Sequence, residues 1–347
     1  MDVRASLAAG LAIPALPLAL DGRRGIDARR QRALLRYYAA AGAGGIAVGV
    51  HTTQFAIRGA GLYEPLLELA AGEMARLDAG RDRPRVRVAG ICGRTAAAVG
   101  EAEMARREGF HAGLLSLADL AAEPEDALVA HARAVGEVLP VIGFYLQPDV
   151  GGRVLPGSFW RQLAGLPSLV AVKVAPFNRY RTLEVVRALV DTGRDDVVIY
   201  TGNDDHIVLD LLTPFRFAAA GRTVERRMTG GLLGHWAVWT SRAVELHAAC
   251  RAAAATGAVP ADLLARANEV TDMNAAVFDA ANGFRGCIAG IHEVLRRQGL
   301  LDSIRCLDPA ETLGPGQAAE LDRVTTAYPH LVDDDFVAAG RDGWLAG

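Results

Sequence analysis

Lys173 is the only lysine in the chain; the other 36 of its 37 Lys and Arg residues are arginine. It sits inside the apolar run LVAVKVAPFNRY, residues 169–180. A purely structural cation could pair with a carboxylate such as Asp204, but arginine makes the better bidentate partner and is used everywhere else. Lysine differs in that its amine can lose a proton and attack a carbonyl carbon. The apolar flanks, Leu169 to Val172 and Val174 to Pro176, would desolvate the ammonium and lower its pKa from about 10.4. That is one route to a Schiff-base nucleophile. The imine withdraws electrons from a keto substrate, so the neighbouring carbon can lose or gain a bond. Tyr145, in GFYLQP, is a candidate proton shuttle for carbinolamine formation. Thr52 and Thr53, in GVHTTQF, offer hydroxyl and backbone N–H groups suited to a carboxylate. His51 beside them could relay protons or contact a substrate oxygen. Gly202, Asn203 and Asp204, in YTGNDDH, complete the candidate substrate-binding set.

These residues lie far apart in sequence, so the elements carrying them must converge. Eight short apolar runs read as strands: 11–18, 44–50, 86–92, 110–117, 139–146, 169–175, 196–202 and 226–233. Their near-continuous apolarity argues for burial on both faces, as in a parallel sheet covered by helices. Helix-like stretches lie between most of them; ARRQRALLRYYAAAG, for one, can be capped by Asp27 and ended by Gly42. Eight strand–helix units predict an α/β (β/α)8 TIM barrel with a C-terminal helical extension. The barrel is assigned to residues 10–256 and the helical region and tail to 257–347. The last 35 to 40 residues, with Pro, Gly and a DDD run, are expected to form a partly ordered tail with a short helix near 314–327. In such a barrel chemistry sits at the C-terminal ends of the strands, which is where all the candidates above fall.

The 347 residues are 51% hydrophobic and 22% charged, with a net charge of −3. Nothing in that balance calls for nucleic acid or an anionic membrane as partner. Neither Gly-x-Gly-x-x-Gly nor a Walker loop opens the first helix, and no cofactor is expected. The four cysteines, Cys92, Cys250, Cys287 and Cys306, lack metal spacing and read as free thiols of a cytoplasmic protein. SLAAGLAIPALPLAL is interrupted by two prolines and fits a first strand better than a signal peptide. A metal site from His51, Asp204, Asp205, His206 or His235 is a weaker reading, because adjacent residues alternate faces on a strand.

The ordered series of motifs resembles the dihydrodipicolinate synthase and N-acetylneuraminate lyase family, over roughly residues 10–312. IPALPLALDGRRGID is similar to its opening strand, and HTTQF falls at its Gly-Ser/Thr-Thr-Gly-Glu turn. YLQP stands at its Tyr-Asn-x-Pro motif, AVK at its Gly-Ile-Lys, and TGNDD at its Gly-Asp-Asp loop. RGCIAGIHEVLRRQGLL, followed by Arg305 and Leu307, resembles its C-terminal helix and Arg-x-Pro-Leu segment. The 28 residues from Tyr145 to Lys173 are the family's spacing. The resemblance implies a class I lyase, an aldolase or dehydratase, acting on a small 2-keto acid or keto-sugar acid through Lys173 with Tyr145. It also implies a homo-oligomer, a dimer or tetramer. Departures accompany it. Val150 stands where the synthase branch has a carboxylate-binding arginine, although Arg153 is near. Leu115, Ser116 and Leu117 replace a Pro-Tyr-Tyr relay segment, and His51, Thr53 and Gln54 replace residues of the substrate turn. Condensation with aspartate semialdehyde is therefore not expected. A non-catalytic keto-acid-binding barrel remains the alternative.

Overall fold

The computed structural model of the chain describes residues 1–219 and 221–347. The strands of the barrel are β1 (Ala12–Pro14), β2 (Gly45–Val48), β3 (Val86–Ile91), β4 (Ala112–Leu115), β5 (Val141–Leu146), β6 (Leu169–Ala175), β7 (Val198–Thr201) and β10 (Met228–Leu233). All pair in parallel, in the order β1-β10-β7-β6-β5-β4-β3-β2. The Ala15–Ala47 bridge and the 2.8 Å bond from Leu16 N to Ala47 O bring β1 back to β2 and close the ring. The fold is a (β/α)8 barrel, as the strand pattern predicts. β1 is shorter than the expected 11–18 because Pro14 and Pro17 have no N–H to give to a ladder.

Strand side chains alternate between two apolar layers. Ile142, Phe144, Ala171 and Leu232 fill the barrel interior, whereas Val141, Tyr145, Val172 and Val174 pack under the helices. Helix α1 (Val3–Ala8) closes the bottom: Leu7 is buried, and its carbonyl accepts from the Tyr200 hydroxyl at 2.8 Å. The covering helices are α2 (Ala28–Ala40), α3 (Tyr63–Leu77), α4 (Thr95–Arg107), α5 (Glu125–Gly136), α6 (Gly157–Ala164), α7 (Arg179–Asp191), the short α8 (Ile207–Leu212) and α9 (Thr240–Thr256).

Two elements differ from expectation. An antiparallel hairpin, β8 (Phe215–Ala219) with β9 (Arg222–Arg226), precedes β10. Its buried Phe215 and Phe217 alternate with exposed Arg216 and Ala218, a pattern unlike the continuous apolar runs of the barrel strands. The C-terminal stretch is folded. After α10 (Ala261–Val277) and α11 (Cys287–Arg297) come α12 (Gln317–Ala327) and α13 (Asp334–Ala346). Trp344 packs on Tyr37 with ring centroids 5.6 Å apart, and Arg36 Nη1 donates to the Trp344 carbonyl at 2.6 Å. The first residue of the DDD run, Asp333, is 1% exposed and accepts from Tyr37 Oη, Ser241 N and Gln298 Nε2. The residue expected in a partly ordered tail is thus a polar knot between α2, α9 and α13, while Asp334 and Asp335 stay exposed. No helix among the described residues is long and apolar enough to cross a membrane.

Several histidines are buried without charge. Burial pushes His235 and His292 down to about 4 from 6.5. Between those values the unfolded chain binds protons that the folded chain refuses, so stability is complete above pH 6.5 and declines as pH falls toward 4. Each costs roughly 2 kcal/mol between pH 7 and 5. The urea midpoint is expected to drop over this interval; a midpoint that holds or rises would show that these imidazoles find partners when charged.

Candidate active site

Lys173 occupies the middle of β6, level with Phe144 on β5 and Tyr200 on β7. Its parity points it into the barrel, while Val172 and Val174 face the helices. The side chain is 8% exposed. Nζ lies 4.5 Å from the centre of the Phe144 ring and, among the described residues, makes no hydrogen bond and no ion pair within 4.0 Å. Burial lowers its pKa, and the nearby Asp204 carboxylate only partly opposes this. The methylenes lie over Gly202. A Cβ there would stand 2.5 Å from Lys173 Cε and 2.8 Å from Ala175 Cβ, so only glycine admits the lysine in this pose.

Asp204, in the loop after β7, is 5% exposed, and its Oδ1 accepts from His235 N at 2.9 Å. Burial raises its carboxyl, with the Lys173 charge pulling the other way. The amine is pushed down and the carboxyl up, each acting on the other, so the two titrate as a pair. His51 begins the short 3-10 turn His51–Thr53 after β2. Burial, then the Lys173 charge, lowers it to about 4, so it is a neutral acceptor at pH 7.

A cavity of about 550 Å³, counting its open mouth, joins Lys173, His51, Thr52, Gly202 and Asp204. Of the eight residues expected in the site, the structure brings these five together. The other three face elsewhere. Tyr145 is 0% exposed and behind the barrel wall, its hydroxyl accepting from Leu155 N at 3.2 Å and its ring 5.4 Å from that of Trp160. Phe144, one residue earlier, holds the inward place beside Lys173. A register shift at Val141/Ile142 sets this parity, and sequence spacing carries no trace of it. Thr53 Oγ1 donates to Leu16 O at 2.6 Å and accepts from Gly49 N, tying β1 to the turn. Asn203 accepts from Phe177 N and donates to Asp210, bracing the loop. Arg153 is no substitute for the missing arginine: its Nη1 is spent on the carbonyls of Leu120 and Glu123. Val150 does line the cavity.

Tyr145→Phe is accordingly expected to change keto-acid turnover by less than about threefold. Its cost is stability, about 1 kcal/mol for the lost acceptor of Leu155 N. A loss of a hundredfold in kcat with an unchanged urea midpoint would return Tyr145 to the chemistry.

Sequence reasoning missed the aromatic wall. Phe144, Phe177, Phe278 and Phe284 line the cavity, with Cys287 at the start of α11. Three of these five come from the region after the barrel, which carries no strand-end signal. Among the described residues no group of three or more His, Cys, Asp or Glu is placed to hold a metal ion.

Fold and site together define a (β/α)8 barrel with a desolvated lysine, free of ion pairs among the described residues, facing its C-terminal mouth. The same fold occurs in dihydrodipicolinate synthases and N-acetylneuraminate lyase, in agreement with the resemblance seen in the sequence. The dihydrodipicolinate synthase of Agrobacterium tumefaciens superposes with a TM-score of 0.72 at 18% identity, covering 93% of this chain and 99% of that one. That of Bacteroides thetaiotaomicron gives 0.71 at 16% identity over 92% and 98%. CdNal from Clostridium difficile, solved with mannosamine, gives 0.72 at 13% identity over 92% and 99%. In sequence the chain is 36% identical over 91 residues to the 4-hydroxy-tetrahydrodipicolinate synthase of Synechococcus elongatus. That match covers 26% of this chain and 29% of its curated relative. No family profile matches the chain.

Proposed function

We propose that the protein is a Schiff-base lyase that acts on a small 2-keto acid through Lys173. The observation that carries this is the amine itself: buried, lowered by desolvation, free of any ion pair among the described residues, and open to a cavity at the strand ends. Unprotonated Nζ adds to the keto carbon; the oxygen takes one proton from the nitrogen and a second from an acid in the wall and leaves as water, giving the iminium. Asp204 is the group suited to supply and recover those protons, since its raised carboxyl is matched to the lowered amine. Neutral His51 accepts at the opposite wall, in the absence of a phenol facing the cavity. Thr52 offers a hydroxyl to the substrate carboxylate. Carbon–carbon cleavage and loss of water from the adjacent carbon both follow from the same iminium.

Among the described residues no arginine lines the cavity. A second carboxylate would find no cation but Lys173, which argues against condensation of pyruvate with aspartate semialdehyde. The barrel of residues 10–256 would supply the nucleophile, the region 257–347 one wall of the mouth, and the assembly would be a homo-oligomer. Borohydride reduction in the presence of pyruvate, followed by peptide mass spectrometry, tests the reading: a reduced adduct is expected on Lys173 and on no other residue. Failure to label Lys173 across a panel of 2-keto acids would sink it. Phe144 in the inward position, where a phenol would assist, favours one alternative, a barrel that binds keto acids without turning them over. Labelling without turnover of any 4-hydroxy-2-keto acid would select that alternative.

A further inference from the structure

Two phenylalanines of the cavity wall sit in the left-handed backbone region, Phe177 at φ 47° and Phe284 at φ 64°. For a bulky side chain this conformation is costly and persists only where the surroundings enforce it. Each is enforced. Phe177 follows β6, and its N–H is held by Asn203 Oδ1 at 3.1 Å. Phe284 follows α10, with its N–H on the Asp279 carbonyl at 3.0 Å, and Asp279 is itself at φ 57°. The Asp279 carboxylate holds this turn by accepting from Asn282 Nδ2 and Gly286 N. The two strained turns, more than a hundred residues apart, deliver two rings edge to face with centroids 6.0 Å apart. Phe278 completes the wall, and it fits only because Gly234 has no side chain: a Cβ there would lie 2.8 Å from Phe278 Cζ.

With Phe144, Leu146 and Val150 these rings make most of the wall beyond Lys173. The polar groups of the cavity, His51, Thr52, Gln147 and Asp204, are few and are needed by a keto acid and its protons. A polyhydroxylated chain would lose its water against phenyl groups without replacement bonds.

We infer that the substrate carries an aryl group on the carbon that leaves as an aldehyde, and that Phe177 and Phe284, packed edge to face on each other, form one continuous face against which that ring is clamped. This rests on the imine reading for the keto-acid half. The representative substrate is a 4-aryl-4-hydroxy-2-oxobutanoate. As its Lys173 iminium, the C3–C4 bond breaks and its electron pair moves into the iminium to give the enamine. The C4 hydroxyl proton passes to a base in the wall, and the aryl aldehyde departs. Protonation at C3 and addition of water then release pyruvate and free Lys173, with no oxidant or reductant consumed.

The test has three arms on the full chain. Aldol formation from pyruvate with benzaldehyde is expected to exceed that with glyceraldehyde by about 30- to 100-fold in kcat/KM. Phe284→Gly removes the ring while relieving its backbone, so the variant is expected to fold and to cut this preference by at least about tenfold. In calorimetry 3-phenylpropanoate, which has no ketone, is expected to bind at least about tenfold more tightly than glycerate. Equal or better use of glyceraldehyde, or a preference untouched in Phe284→Gly, overturns the clamp. Borohydride labelling with pyruvate alone is the separate readout of the imine. If labelling succeeds and the aryl preference is absent, the clamp falls and the lyase reading stands. If labelling fails while phenylpropanoate binds preferentially, the lyase reading falls and the aryl site stands.

Discussion

Replacing Lys173 with arginine is expected to abolish borohydride-trapped adducts and to lower keto-acid turnover by at least about 10³-fold. A guanidinium keeps the positive charge but cannot shed its proton, so no nucleophile remains. Lys173→Met makes the complementary comparison, keeping the length and removing the amine. The methionine variant is expected to unfold at an equal or higher urea concentration, because desolvating the wild-type amine costs more than the Asp204 charge returns. Loss of activity with preserved or increased stability separates a chemical role from a structural one. The wild-type rate of adduct formation should also depend on pH in a defined sense. Burial lowers the Lys173 pKa, so the free-amine fraction grows as pH rises through that lowered value. Labelling should therefore rise with pH across the neutral range and level off below the ordinary lysine value of about 10.4. Turnover that survives Lys173→Arg would remove the basis for imine chemistry here.

Gly202→Ala is the second large effect, on a residue that does no chemistry of its own. Its φ is unremarkable, so the added methyl causes no backbone strain; the conflict is steric and local. With Lys173 Cε only 2.5 Å from the new Cβ, and Ala175 Cβ at 2.8 Å, the lysine must swing away or the loop after β7 must lift. Either displaces Nζ from its place over the Phe144 ring by about an ångström, and misplacement on that scale costs about 10²-fold in rate. Overpacking adds about 1–3 kcal/mol of destabilisation. The expected profile is a large fall in kcat with weaker, slower borohydride labelling in a protein that still folds cooperatively. Full activity would mean that Lys173 reacts from another rotamer, and the pose over Gly202 would lose its meaning.

The chain's own letters determined the barrel and marked Lys173 as its candidate nucleophile. Eight apolar runs are enough to specify a doubly covered parallel sheet, because burial on both faces leaves no polar alternation in the strand. A lone lysine among arginines, flanked by valines and alanines, is a local signal of the same kind, since desolvation depends on immediate neighbours. His51, Thr52, Gly202 and Asp204 were legible because strand ends converge in any such barrel. The remaining assignments depended on contacts that sequence spacing does not encode. Tyr145 and Phe144 differ by one residue and by 180° of strand, and a single register irregularity between β5 and β6 decided which faces the lysine. Thr53 and Asn203 carry hydroxyl and amide groups like those of Thr52 and Gln147 in the cavity lining, yet their hydrogen bonds turn them into the scaffold. The aromatic wall was invisible for a related reason. Phe177 and Phe284 belong to different parts of the chain, and only folding of the helical region over the barrel mouth brings their rings together. The acidic DDD run likewise changed character once Tyr37 and Gln298 were close enough to bond it. Local composition fixes what is buried, because burial follows from each segment's own polarity; which side chains meet follows from register and docking, which are properties of the assembled whole.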